Sequence, residues 1–231
     1  MSNGLRVISS MATRALLADL AADWAAEGGD PVRVESVGGV DAARRVAAGE
    51  AFDVVVLASD AIDRLLAAGH LVAGSKVDLV RCDVAIAVPE GAPHPSVADE
   101  AGLRAAVSAA SRIALSTGPS GTALVKLFER WGLADAVRDR LVQAPPGVPV
   151  GRLLAEGAAD IGFQQFSELL GLPGIAVLGT MPPGLEIVTT FSAACCIAGR
   201  SMADVQPLLA RWRSAATDEM KHRHGMIDAR A

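Results

Sequence analysis

Short apolar runs suited to strands alternate with helical periodicity along the whole chain. A sequence written this way buries both kinds of element by packing helices on a mostly parallel sheet. Residues 5–8, 32–37 and 53–57 read as strands. The intervening helices are residues 12–26, with Leu16, Leu20 and Trp24 on one face, a helix capped by Asp41 that carries Ala42 and Val46, and residues 61–68. Gly28, Gly49 and Gly69 are placed to stop them. A second series follows, with strands at 84–88, 112–115, 160–163 and 175–178 and helices at 100–110, 122–131 and 148–156. The β-branched run 186–198 reads as a strand returning to the first series, and residues 202–220 as a final helix. The fold class expected is α/β, two lobes of mostly parallel sheet flanked by helices.

Composition narrows the function. Half of the 231 residues are hydrophobic, yet no run has the length of a membrane span. The net charge of −5 is spread over interspersed acids and arginines, without a basic stripe, and tyrosine is absent. Neither nucleic acid nor an anionic membrane is an expected partner. The start, MSNGLRVISS, lacks the basic and apolar regions of a secretory leader, so the expectation is a cytoplasmic protein. A periplasmic setting and a transporter partner follow if a leader has been removed. Cys82, Cys195 and Cys196 have no metal-ligand spacing and read as buried structural thiols. His222 and His224 lie two apart and would not share a helix face. No metal and no cofactor are expected.

Two places join a strand end, a hydroxyl-rich turn and a helix start. The first, SSMATR, holds Ser9, Ser10 and Arg14, and the second, STGPSGT, holds Ser116, Ser120 and Gly121. Ligands of open α/β sheets settle beyond the carboxyl ends of the strands, where first-turn N–H groups are unpaired and the helix dipole is positive. Hydroxyls add neutral donors, and glycine lets a ligand come close to the backbone. Helix capping alone accounts for each turn equally well. Gly39 could add bare amides before the second helix, and Gln164 could donate from the end of a buried strand. Arg14 could clamp a carboxylate. Glu168 reads as a helix-start acid complementing the dipole. No Ser–His–Asp arrangement, phosphate-binding loop or dinucleotide fingerprint is present, so no catalytic residue is assigned.

The stretches LRVISSMATRALLADLAADW, VGGVDAARRVAAGEAFDVVVLASDAIDRLLAAGHLV, RIALSTGPSGTALVKLFERWGL and AADIGFQQFSELLGLPGIAVLG resemble the molybdate-binding-protein-like branch of the type II periplasmic solute-binding proteins. The GPSGT and FQQFSELL segments look closest to a subgroup that also resembles aconitate isomerase. The resemblance implies a first lobe of residues 1–82 plus 190–231, an inserted lobe of residues 83–189, two hinge crossings and a ligand cleft between the lobes. It implies ligand contacts from Ser9, Ser10, Gly39, Ser116, Ser120, Gly121 and Gln164. Met11 and Gly39 stand where molybdate binders place serines, and their second-lobe tyrosine has no counterpart. An organic carboxylate is therefore as well matched as an oxyanion. Binding of a small anion is the expected function. The alternative is isomerisation of a small di- or tricarboxylate, which needs a base for a carbon-bound proton. Glu168 and Asp41 are the acids nearest the proposed cleft.

Overall fold

The computed structural model of the chain describes residues 4–145 and 147–230. They form two compact units, one of residues up to Cys82 together with those from Thr190 onward, the other Asp83–Thr189.

The first unit opens with β1 (Leu5–Ser10), a single 3-10 turn at Met11–Thr13, and α1 (Arg14–Ala26). It continues through β2 (Val32–Val37), α2 (Gly39–Ala47), β3 (Val54–Ala58) and α3 (Ser59–Ala67). β1 lies between β2 and β3, parallel to both, with Ser9 level with Ser36 and Val56. Gly28 ends α1 with a φ of +84°, and the Gly29 N–H returns to the Trp24 carbonyl at 3.0 Å. That closure needs a left-handed residue, which glycine supplies without a Cβ penalty. The core gathers Ile8, Val46, Phe52, Val55, Leu57, Ile62 and Leu65. Asp41 is not the cap of α2: Gly38 is, and Asp41 lies within the first turn paired to Arg44.

β4 (Val77–Pro89) leaves the first unit and enters the second. It is much longer than the expected 84–88, because its polar first half borders the returning strand of residues 188–195 and is also paired by residues 227–228, at Val80 and Arg81. In the second unit follow α4 (Glu100–Ala109), β5 (Ile113–Leu115), α5 (Pro119–Arg130), α6 (Ala134–Val137), β6 (Leu141–Gln143), α7 (Val150–Ala155), β7 (Ile161–Gln165), α8 (Phe166–Leu169) and β8 (Ile175–Thr180). β5 runs parallel to β6 and β7, while β4 pairs antiparallel with β7 and β8. The period of two in β4 divides this core. Val84, Ile86 and Val88 face one cluster with Leu124, Phe128 and Phe163, whereas Ala85 and Ala87 face another with Val150, Leu154 and Leu169. Phe128 packs on Trp131 and Phe163 at ring-centroid distances of 6.0 and 6.2 Å.

β9 (Val188–Cys195) returns to the first unit and pairs antiparallel with β3. α9 (Met202–Trp212), a 3-10 turn at Ala215–Thr217, α10 (Asp218–Arg223) and β10 (Ile227–Asp228) complete it. The single final helix expected over 202–220 is broken, and the hydroxyls explain the break. Ser214 donates to the Arg211 carbonyl at 2.8 Å and Thr217 to the Trp212 carbonyl at 3.0 Å, competing with helical hydrogen bonds. Cys82, Cys195 and Cys196 are buried and unbridged, and burial pushes the Cys196 thiol up to about 12. No helix of the described residues is long and apolar enough to cross a membrane.

Lys221 is fully buried, bonded to Asp228 and, at 3.1 Å, to Asp218. Burial raises the Asp228 carboxyl, but hydrogen bonds from Arg230 and Lys221 outweigh it and hold the group far below the carboxylate range. A depressed acid stabilises above its unfolded value, so this contribution is present at neutral pH and fades as pH falls below about 4. Lys221→Ala removes one of the two cations on the buried Asp228 carboxylate, leaving Arg230, and empties a fully buried side-chain volume, at a cost of about 3 kcal/mol. Urea unfolding followed by circular dichroism checks this, and an unchanged midpoint would show that the pair contributes nothing.

Candidate functional site

In the first unit, β1 and β2 deliver Ser10 and Val37 side by side to their carboxyl ends. Successive strand residues point to opposite faces, and this separates the two serines. Ser9 is fully enclosed, its hydroxyl 2.8 Å from that of Ser36 and 3.2 Å from the Ser10 carbonyl. Ser10 points the other way. It is 9% exposed, and its hydroxyl has no hydrogen-bond partner among the described residues. An unsatisfied buried hydroxyl costs about 1–3 kcal/mol, so its persistence calls for an explanation.

Gly39, the first residue of α2, lies against Ser10: a Cβ built on it would be 3.7 Å from the Ser10 Cβ. The first α2 hydrogen bond runs from the Ala42 N–H to the Gly38 carbonyl, so the amides of residues 39–41 precede the helical ladder. Arg14 is the first residue of α1 and is exposed. Arg44 pairs with Asp41, and Arg45 with Glu35 and Glu50, so the guanidiniums of α2 are already neutralised. These first-unit donors are therefore neutral, apart from Arg14.

In the second unit the order is repeated. β5 ends at Leu115, level with Phe163 of the parallel β7, so Ser116 leaves its strand beside Gln164, the penultimate residue of β7. Helix α5 starts at Pro119, three residues before the expected 122, because proline presets the helical φ and has no N–H to lose. The next amides are those of Ser120 and Gly121, while the Thr122 N–H already bonds to the Gly118 carbonyl at 3.2 Å. The Ser116 and Ser120 hydroxyls are 3.0 Å apart. Gly121 is sterically required, since a Cβ there would collide with the Ser116 carbonyl.

Gln164 is 3% exposed, and its amide is held at both ends. Its Oε1 accepts the Val150 N–H at 2.7 Å, and its Nε2 donates to Glu168 at 2.8 Å. Glu168 keeps some surface exposure, yet burial pushes its carboxyl up to about 7 against the opposing hydrogen bond from Gln164. Its position in the first turn of α8 fits the helix-start reading, but that reading misses this environment. Next to it, Gln165 donates to the Thr189 hydroxyl at 2.7 Å. Among the described residues no group of histidine, cysteine and acidic side chains could hold a metal ion.

The structure thus brings Ser10 and Gly39 together in one unit, and Ser116, Ser120, Gly121 and Gln164 in the other. Ser36 is the site neighbour that sequence reasoning passed over; Glu168 was named there, but as a helix-start acid rather than a buried carboxyl. The two glycines should respond differently to alanine. Gly39→Ala meets only ordinary contacts and should keep the parent melting temperature, whereas Gly121→Ala should lose several degrees, an overpacking cost of about 1–3 kcal/mol. A thermal melt of each variant decides, and equal melting temperatures would contradict the tight α5 turn.

Comparison with known proteins adds the family. A curated aconitate isomerase from Pseudomonas sp. is 36% identical over 153 residues, 65% of this chain. The match spans 57% of that relative's length. The Azotobacter vinelandii periplasmic molybdate-binding protein superposes with a TM-score of 0.79 at 19% identity, covering 96% of this chain and 98% of that one. A sulfate-binding protein of Mycobacterium tuberculosis gives 0.75 at 16% identity, covering 98% and 87%. At such identities these two share the fold. The sequence pattern described as bacterial extracellular solute-binding protein matches residues 5–227, and the chain belongs to that family.

Proposed function

We propose that this protein binds a small anion, an oxyanion or an organic carboxylate, and releases it unchanged. In the first unit the candidate donors are Ser10 and the amides beginning at Gly39; in the second, taken by itself, they are Ser116, Ser120 and the Gly121 amide. The observation that carries this reading is the buried Ser10 hydroxyl, left without a partner beside the amides that open α2. A bound oxyanion would accept its proton along with those amide hydrogens. Two named relatives bind molybdate and sulfate, and a third acts on a tricarboxylate, so each comparison supports an anionic ligand. The family description supports work outside the cytoplasmic membrane, with an importer as partner, over the cytoplasmic setting expected from the sequence.

Thermal shift and calorimetry with molybdate, tungstate, sulfate, citrate and the two aconitates test the proposal. At a hundredfold excess over Kd, binding is worth about 2.7 kcal/mol, a rise of roughly 5–10 °C. Ser10→Ala should weaken the binding anion by about tenfold or more, the value of a hydrogen bond to a charged group. A panel without any response would overturn the reading.

A second reading, isomerisation of a small unsaturated tricarboxylate, is favoured by Glu168. A carboxyl poised near neutrality could take a proton from the substrate's CH2 carbon and return it to the far carbon of the double bond, two carbons along, as the double bond shifts to the carbon that lost the proton. The ultraviolet absorbance of cis-aconitate incubated with the protein should then drift toward that of the trans isomer, and should not do so with Glu168→Gln. A constant spectrum would leave binding alone.

A further inference from the structure

The Gln164 amide has a fixed orientation. Its oxygen is occupied by the Val150 N–H, so its NH2 must face the Glu168 carboxyl. A carboxyl oxygen can accept that bond whether the group is ionised or neutral, so Glu168 can gain or lose a proton without breaking the contact. Gln164 follows Phe163 in β7, and Ser116 follows Leu115, the β5 residue level with Phe163, so the two stand on neighbouring segments; the Ser116 hydroxyl is in turn 3.0 Å from that of Ser120 at the start of α5. Glu168 is thus tied through one side chain to the end of the sheet where the second unit's donors lie.

We propose that Glu168, held by Gln164, makes anion binding proton-linked: a small anion binds together with one proton, which comes to rest on the Glu168 carboxyl. The inference rests on the anion-binding reading given above.

The surroundings of Glu168 support it. α8 packs on β7 and α7. β7 carries no charged side chain, and neither does β8. On α7, Arg152 is paired with Glu156 at 2.8 Å on the exposed surface. Asp83 stands next to Val84, the β4 residue level with Gln165. Burial pushes the Glu168 carboxyl up, and the hydrogen bond from Gln164 opposes it. Among the described residues no cation is paired with Glu168, so a neighbouring negative charge favours the neutral form. The sign follows. Anion binding raises the proton affinity of Glu168, so the free protein takes up a proton wherever Glu168 is ionised. The affinity for the anion then falls as pH rises through about 7.

The test is calorimetry of the intact chain between pH 6 and 9 with sulfate, molybdate and trans-aconitate, none of which titrates in that range. Repeating it at pH 8 in buffers of different ionisation heat counts the protons. The expected result is uptake approaching one proton per anion, with affinity about tenfold weaker at pH 8.5 than at 6.5. In Glu168→Gln, uptake should vanish and the pH profile should become flat. Binding without proton exchange in the parent would overturn the proposal, whatever the variant does. Uptake persisting in Glu168→Gln would overturn it by assigning the proton elsewhere. Absence of binding at every pH would instead sink the anion-binding reading itself.

Discussion

A parallel strand delivers its chain to the far end of a sheet, and the helix that carries it back starts there with its first amide hydrogens unpaired. Those hydrogens need an acceptor. In this protein the condition arises where β1 and β2 hand over to helices in one unit and where β5 does so in the other. Local choices leave the ends open rather than capped. Gly38 and Gly118, which bring no side chain, occupy the cap positions of α2 and α5, and no side-chain cap forms at either. Ser10, which could have satisfied an amide, keeps its hydroxyl unengaged. Most helices here lack a side-chain cap, so what sets the α2 end apart is the buried Ser10 hydroxyl beside it, which has no partner among the described residues.

The electrostatic character follows from where the arginines are spent. Arg45 is tied to Glu50 and Glu35, and the hydrogen bond to Glu50 leads in raising its affinity for its proton. Arg211 reaches Asp23 at 2.9 Å, and Arg230 supports Asp228 at 2.6 Å. Cations are used to tie elements together, while the candidate site is built from hydroxyls and amides. Neutral dipoles can hold an anion firmly where water is excluded and still let it go, which suits a carrier. An acidic protein can therefore take a negative ligand without a basic pocket.

Most of the fold was legible because its signals are local. Val32–Val37 is a strand with the bounds expected, and the glycine stops at 28, 49 and 69 all adopt positive φ. What was missed depends on partners distant in sequence. The polar half of β4 is a strand because β9 and the two-residue β10 meet it. At the site, the sequence placed Ser9 and Ser10 in one turn, but β1 extends through both and turns their side chains apart. Glu168 looked like a dipole partner because its burial comes from packing around α8, which no local pattern reports. Pro119 could have been read as a helix start, and would have moved Ser120 and Gly121 onto the first turn of α5.

The most direct test is a crystal structure with tungstate, located by its anomalous scattering. The account predicts a strong peak within hydrogen-bond distance of the Ser10 hydroxyl and the amides that open α2. A peak bound elsewhere, with the Ser10 hydroxyl still unengaged, would contradict it.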